Sequence, residues 1–365
     1  MTSSLEKTPP APRTDDHPPA AVRERGDPVG RVRTSLVLLV LAAAFAAAVV
    51  AGLALGSVRI PAGQVVEILT GRAEASPLRT IVLDVRLPRV LLGAIVGAGL
   101  AVVGAVLQAL VRNQLADPFL LGVSSGASTG AVAAIVFGFG TGLATTVLVP
   151  IASFAGALGS LVLVYTLARK GGLMTTGRLI LAGVAVAYIL SALTSLLLVT
   201  SARAEHLRDV LYWTLGGLGS ARWDVLLVPA AALVVGVVFL FALARPLDLL
   251  LVGEEGATVL GLDTGRFRVA VFVVTSVLTG LLVAYSGAIG FVGLMVPHAA
   301  RMFVGAGHRR LLPVCALMGA VFLVLADLAA RTVAAPQDIP VGVLTALTGG
   351  PFFLWLLHRG PGGQD

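Results

Sequence analysis

The strongest constraint in this sequence is a succession of nearly uncharged apolar runs, each about 20 residues long, the length at which a helix crosses a bilayer. They fall at residues 35–56, 90–111, 119–138, 143–168, 179–200, 223–244, 268–286, 288–304, 311–330 and 340–358. In hydrocarbon every backbone N–H and C=O needs a partner inside the protein, so only helices and closed barrels span. These runs are continuous and do not alternate apolar with polar residues, so they read as helices. Only 12% of the 365 residues are charged, against about 25% in a soluble domain. The expected fold is an all-α integral membrane protein of about ten transmembrane helices over residues 34–360.

Residues 1–33 are rich in proline and charge ("TPPAPRTDDHPPAAVRERGDPVGRVR"). They cannot bury enough apolar surface to fold alone, and a disordered cytoplasmic tail is expected there. The run Ser35–Gly56 is too long for the core of a signal peptide and reads as a retained first span. An even number of spans puts both termini on one side. With that side cytoplasmic, 17 of the 26 Lys and Arg fall in inner segments and 9 in outer ones, as the positive-inside rule requires. The net charge of +7 thus reads as membrane orientation, and nucleic acid is not an expected partner. An outer cluster at 59–89, including Arg86 and Arg89, breaks the bias and needs its own cause.

Several chemistries are excluded. A P-loop needs lysine in a GK[ST] context, and neither Lys7 nor Lys170 stands in one. No HExxH occurs among the five histidines, and the single cysteine, Cys315, admits neither an intrachain disulfide nor a cysteine-based zinc site. The serines of "GVSSGASTG" have no histidine near them in sequence. No catalytic residue, metal site or cofactor is expected. The spans hold few ionisable groups, His298 and Asp327 being the candidates, which weakens an ion-driven carrier. Glycines spaced by four, Gly93 and Gly97, then Gly122, Gly126 and Gly130, mark faces where helices approach closely. Pro150, Pro229 and Pro297 fall within spans. "DPFLLGVSSGA" and "GAIGFVGLMVPHAA" echo one another weakly, as two pseudo-repeated five-span halves would.

Between the sixth and seventh spans lies a short charged stretch, "RPLDLLLVGEEGATVLGLDTGRFR", with Leu250, Leu251, Val259, Leu260 and Leu262 at roughly helical spacing. Spacing alone admits two readings: a small amphipathic element that docks a partner, or a surface segment lying among the headgroups.

Three long motifs, in order, resemble one family. "RLPRVLLGAIVGAGLAVVGAVLQALVRNQLADPFLLGVSSGAS" (86–128), "GAIGFVGLMVPHAARMFVG" (287–305) and "LADLAARTVAAPQDIPVGVLTALTGGPFFLWLL" (325–357) are similar to the iron–siderophore and vitamin B12 permeases of ABC importers, the FecCD type. The resemblance covers nearly everything from about residue 35 onward. It implies the type II ABC importer permease fold, with a second permease subunit (a second copy or a sister chain), two ATPase subunits inside and a substrate-binding protein outside.

The resemblance also implies roles. Residues 245–267 become cytoplasmic coupling helices, with Gly253, Glu254, Glu255, Ala257 and Gly261 matching the ATPase-docking pattern. Glycine at 256 replaces an alanine of the usual signature, at up to about 1 kcal/mol of helix propensity. Arg86, Arg89 and Arg331 match outer arginines that meet acids of the binding protein; binding headgroup phosphates is the alternative. Asn113, Gln114 and Leu115, with Thr175, Thr176 and Gly177, match a cytoplasmic gate, although the family usually has proline where Gln114 stands. Ser191, Thr194, Ser195 and Thr345 are candidates to line the path, or hydroxyls bonded to their own helices. The expected function is uptake of a ferric siderophore, driven by ATP hydrolysed on a partner chain. Vitamin B12 or haem uptake is the alternative within the family, and a stand-alone carrier, a channel or a non-transporting receptor the alternatives outside it.

Overall fold

The computed structural model describes residues 28–137, 143–170, 173–174, 176–201 and 204–358. Helices account for nearly all of them. In chain order these are α1 (Pro28–Ala54), α2 (Ala62–Leu69), α3 (Pro77–Thr80), α4 (Leu87–Val111), α5 (Val123–Val136), α6 (Leu143–Ala168) and α7 (Thr176–Ser201). There follow α8 (Ala204–Thr214), α9 (Trp223–Ala242), α10 (Ala244–Val252), α11 (Glu254–Val259), α12 (Thr264–Ser286), α13 (Val292–Val304), α14 (His308–Thr332) and α15 (Val341–His358). The strands are β1 (Arg169–Lys170) and β2 (Leu173–Met174), an antiparallel pair of two residues each between α6 and α7.

Among the described residues, seven helices are long and apolar enough to cross a membrane, and three shorter apolar ones, 123–136, 292–304 and 341–356, complete the ten expected runs. The second run extends well before its expected start at 90. Helix is continuous from Pro77, through a π-helical turn at Ile81–Arg86, into α4. Pro88 has no N–H to give the carbonyl four residues back, and the ladder widens there: Leu87 N donates to Val82 O, five residues back. Helix α1 begins at Pro28, inside the stretch expected to be tail, while residues 1–27 lie outside the described residues.

Helix α4 is the centre of the bundle. Its most apolar window is 83% buried, whereas those of α1 and α9 are 17% and 22% buried and face outward. Leu92, Leu100, Leu107 and Leu110 of α4 join Phe272 and Leu282 of α12, Val292 of α13 and Leu311 and Leu323 of α14 in one core. The most extensive helix contacts are α4 with α14 and α5 with α6. Glycine makes both possible. A Cβ on Gly97 would sit 2.2 Å from Gly319 O across the α4–α14 contact. One on Gly126 would sit 2.4 Å from Gly156 O across the α5–α6 contact. Such small-residue faces replace the hydrophobic drive that lipid does not supply between helices. The glycine spacing read from the sequence therefore builds helix packing.

Candidate functional site

One end of the bundle gathers the three arginines singled out in the sequence. The π-turn and the first turn of α4 bring Arg86 and Arg89 to the ends of α1 and α14. Arg86 is buried, and it donates through Nη1 to Leu53 O at 2.6 Å and through Nη2 to Val58 O. Arg331 is also buried; its Nη2 donates to Gly52 O at 3.1 Å, and its Nε lies 3.0 Å from Asp327 Oδ2. Arg89 Nε donates to Asp327 Oδ1 at 3.0 Å, and its Nη1 to Asp338 Oδ2 at 2.7 Å. A buried carboxylate thus sits between two guanidiniums, which keeps its charge compensated away from water. Asp338 is exposed in the connection between α14 and α15, where its carbonyl accepts from the Tyr212 hydroxyl of α8. In the sequence Asp327 stands out only as a rare charge within a span, with no partner marked, and Asp338 carries no such signal. The i,i+4 spacing of Asp327 and Arg331 was the available signal.

At the other end, α10 and α11 form the element between the sixth and seventh spans. Ala244, Leu247 and Leu250 are buried and form one apolar stripe of α10, which packs on α4 and α14. Gly253 separates α10 from α11 at φ 117°, a conformation closed to most side chains. In α11, Ala257 is buried and Glu255 exposed. Gly261 ends the element at φ 89°, its N–H donating to Thr258 O at 2.9 Å. Asp263 then caps α12 by accepting from Arg266 N at 3.0 Å. Leu251, Val259 and Leu260 are exposed here, Val259 by 87%, outside the spanning helices. Glu254 is the first residue of α11.

The same end holds the segment after α4. Arg112 ends α4 in the left-handed conformation. Asn113 Oδ1 accepts from Leu115 N at 2.9 Å, fixing a turn in which Asn113 and Gln114 are exposed and Leu115 half-buried. Asp117 Oδ1 accepts from Phe119 N at 2.8 Å and caps a 3-10 turn, Pro118–Leu121, that rests on α7. Burial pushes the Asp117 carboxyl up to about 6, against the bond from Phe119 N, which favours the charged form. Thr176 opens α7, and Gly177 is exposed, with nothing within 4 Å of a Cβ placed on it. Thr175 lies outside the described residues.

The four candidate path residues do not share one surface. Ser191 and Ser195 are exposed on α7, and the Ser195 hydroxyl donates to Ser191 O at 3.0 Å. Thr194 turns towards α5, where its hydroxyl lies 2.9 Å from that of Thr129. Thr345 is fully buried in α15 and donates to Gly342 O at 3.1 Å. A polar link that sequence reasoning missed joins α4 to α13: Arg301 donates to Gln108 Oε1, and the Gln108 amide donates to Gly293 O at 3.2 Å.

A ten-span bundle with a docking-sized helical element between its sixth and seventh spans has the architecture of a type II ABC importer permease. A solved metal-chelate type ABC transporter in an inward-facing conformation superposes with a TM-score of 0.79 at 33% identity, over 89% of this chain and 99% of that one. The chain belongs to the FecCD transport family, which it matches over residues 33–359. It is 49% identical over 282 residues to the cobalamin import system permease of Halobacterium salinarum, covering 77% of this chain and 74% of that one. The hemin transport system permease of Yersinia pestis is 43% identical, over 76% of this chain and 83% of its own length. The Fe(3+)-citrate import system permease YfmD of Bacillus subtilis is 38% identical, over 79% and 84%. The chain is accordingly a multi-pass membrane permease subunit of an ABC importer, a transport component.

Proposed function

We propose that the chain forms the translocation path of an ATP-driven importer of a bulky metal chelate, delivered by an extracytoplasmic binding protein. A ferric siderophore is the first reading of the cargo. Cobalamin is the second, favoured by the 49% identity to a cobalamin permease. The observation that carries the proposal is the α10–α11 element. It is fixed to the bundle by a buried stripe, and outside the spans it presents Glu255 with exposed Leu251, Val259 and Leu260. Exposed apolar residues outside the bilayer mark a surface for another protein, here the ATPase, with Gly253, Glu254, Ala257 and Gly261 shaping the contact.

In this proposal the α10–α11 face and both termini are cytoplasmic, and the arginine face is outside. Asn113, Gln114, Leu115, Thr176 and Gly177 border the cytoplasmic opening, and the gate role the resemblance gives Thr175 falls on a residue outside those described. Ser191 and Ser195 are the pathway candidates with exposed hydroxyls, whereas Thr194 and Thr345 support the helices that carry the wall. Arg86, Arg89 and Arg331 underlie the outer platform for the binding protein, Arg86 and Arg331 from buried positions that brace Arg89. Arg89, shared with exposed Asp338, is the member best placed to exchange partners with an incoming acid. A second permease subunit completes the path.

The test is reconstitution of the permease with its ATPase and binding protein in liposomes. Uptake of radiolabelled ferric siderophore or cobalamin is expected only with all components and ATP. Accumulation by the permease alone, driven by an ion gradient, overturns the proposal, and competition between the two labelled chelates decides the cargo.

A further inference from the structure

We propose that Asp248 and His308 form a clamp through which the α10–α11 element moves α14, and that α14 is the rod carrying the displacement to the arginine face. This rests on the assignment of α10–α11 as the ATPase-docking element. Asp248, on α10, reaches the first residue of α14. Its Oδ1 accepts from the His308 backbone N–H at 2.9 Å and lies 2.6 Å from His308 Nδ1. The residue before α14, Gly307, has no side chain to cap the helix, and the first N–H groups of a helix otherwise lack partners. Asp248 therefore caps α14 from a different helix. The His308 ring is buried, and its Nε2 has no hydrogen-bond partner among the described residues. Asp248 is thus a polar anchor of this helix end.

Everything at the far end of α14 follows from the same helix. His308 and Asp327 are 19 positions apart in one helix, roughly 28 Å of rise. Between them Gly319 lies against Gly97 of α4, backbone on backbone. No side chain can yield there, so α14 and α4 shift together. At the arginine face Asp327 and Arg331 of α14 hold Arg89 of α4 and Gly52 O of α1, and Arg89 reaches Asp338 before α15. One continuous helix therefore joins the clamp under the docking element to the platform on the opposite face.

The test uses the complete complex of permease and ATPase chains in nanodiscs. Spin labels are placed at exposed Val199, near the end of α7, and exposed Val333, just beyond α14, both away from the clamp. A non-hydrolysable ATP analogue is expected to shift the distance between them in the otherwise native complex. Asp248→Leu should abolish the shift while the ATPase still co-purifies and hydrolyses ATP. Asp248→Asn, which keeps an acceptor for the His308 N–H, should restore it. His308→Ala, which removes only the ring contact, should leave a reduced shift. A shift of native size in Asp248→Leu, or none in the native complex with ATPase bound, overturns the proposal. Failure of the ATPase to co-purify with the native chain overturns the docking assignment instead.

Discussion

Arg89 and Arg331 converge on a carboxylate, Asp327, that is 1% exposed. Removing one member of such a group leaves buried charge uncompensated, which costs about 3–5 kcal/mol. Asp327→Ala should therefore lower the melting temperature of the purified permease sharply, and Asp327→Asn less so because one acceptor oxygen is kept. Arg89→Glu places like charge opposite Asp327 and Asp338, so it should lower the melting temperature too and, in the protein that remains folded, weaken binding-protein association most visibly at low salt. Unchanged affinity at low salt removes Arg89 from the platform. Asp117 gives a pH dependence. Its carboxyl is raised from 3.8 to about 6, so the folded state favours the neutral form. The stability from Asp117 is complete below about pH 4 and is lost as pH rises through 6. Asp117→Asn keeps the acceptor for Phe119 N, and its thermal stability should be flat over that window and higher than native at pH 7.

At the level of elements, the α10–α11 segment is small but tightly specified. Its apolar stripe, two glycines at positive φ and the Asp263 cap each fix one feature of its path. Glu255→Arg reverses an exposed charge without touching the buried stripe. It should leave the permease in the membrane and reduce ATPase co-purification and transport together; normal uptake would remove Glu255 from the coupling role. Existence of the ten helices was legible in the sequence because lipid leaves the backbone almost no alternative. The start of α4 was not. Arg86 and Arg89 read as loop charges, yet they sit in helix with partners that include carbonyls 28 and 33 residues away and carboxylates 238 and 249 residues away. No local pattern encodes such pairs. The hydroxyls of Thr194, Ser195 and Thr345 were equally ambiguous, since a helix gives any Ser or Thr an acceptor a turn away, and all three use it.

For the whole molecule, the α4–α14 and α5–α6 contacts are the most extensive in the bundle, and each has glycine at its closest approach. Mutating Gly97 to leucine should prevent α4 and α14 from seating, since even a Cβ would meet Gly319 O at 2.2 Å; loss of folded permease from the membrane fraction is the expected readout. The ion pairs on the arginine face also bear on biogenesis. Arg89 emerges from the ribosome 238 residues ahead of its buried acid. Until the ninth hydrophobic segment arrives, the guanidinium has only headgroups and water to neutralise it. The acid that compensates Arg89 inside the folded protein therefore arrives only with α14.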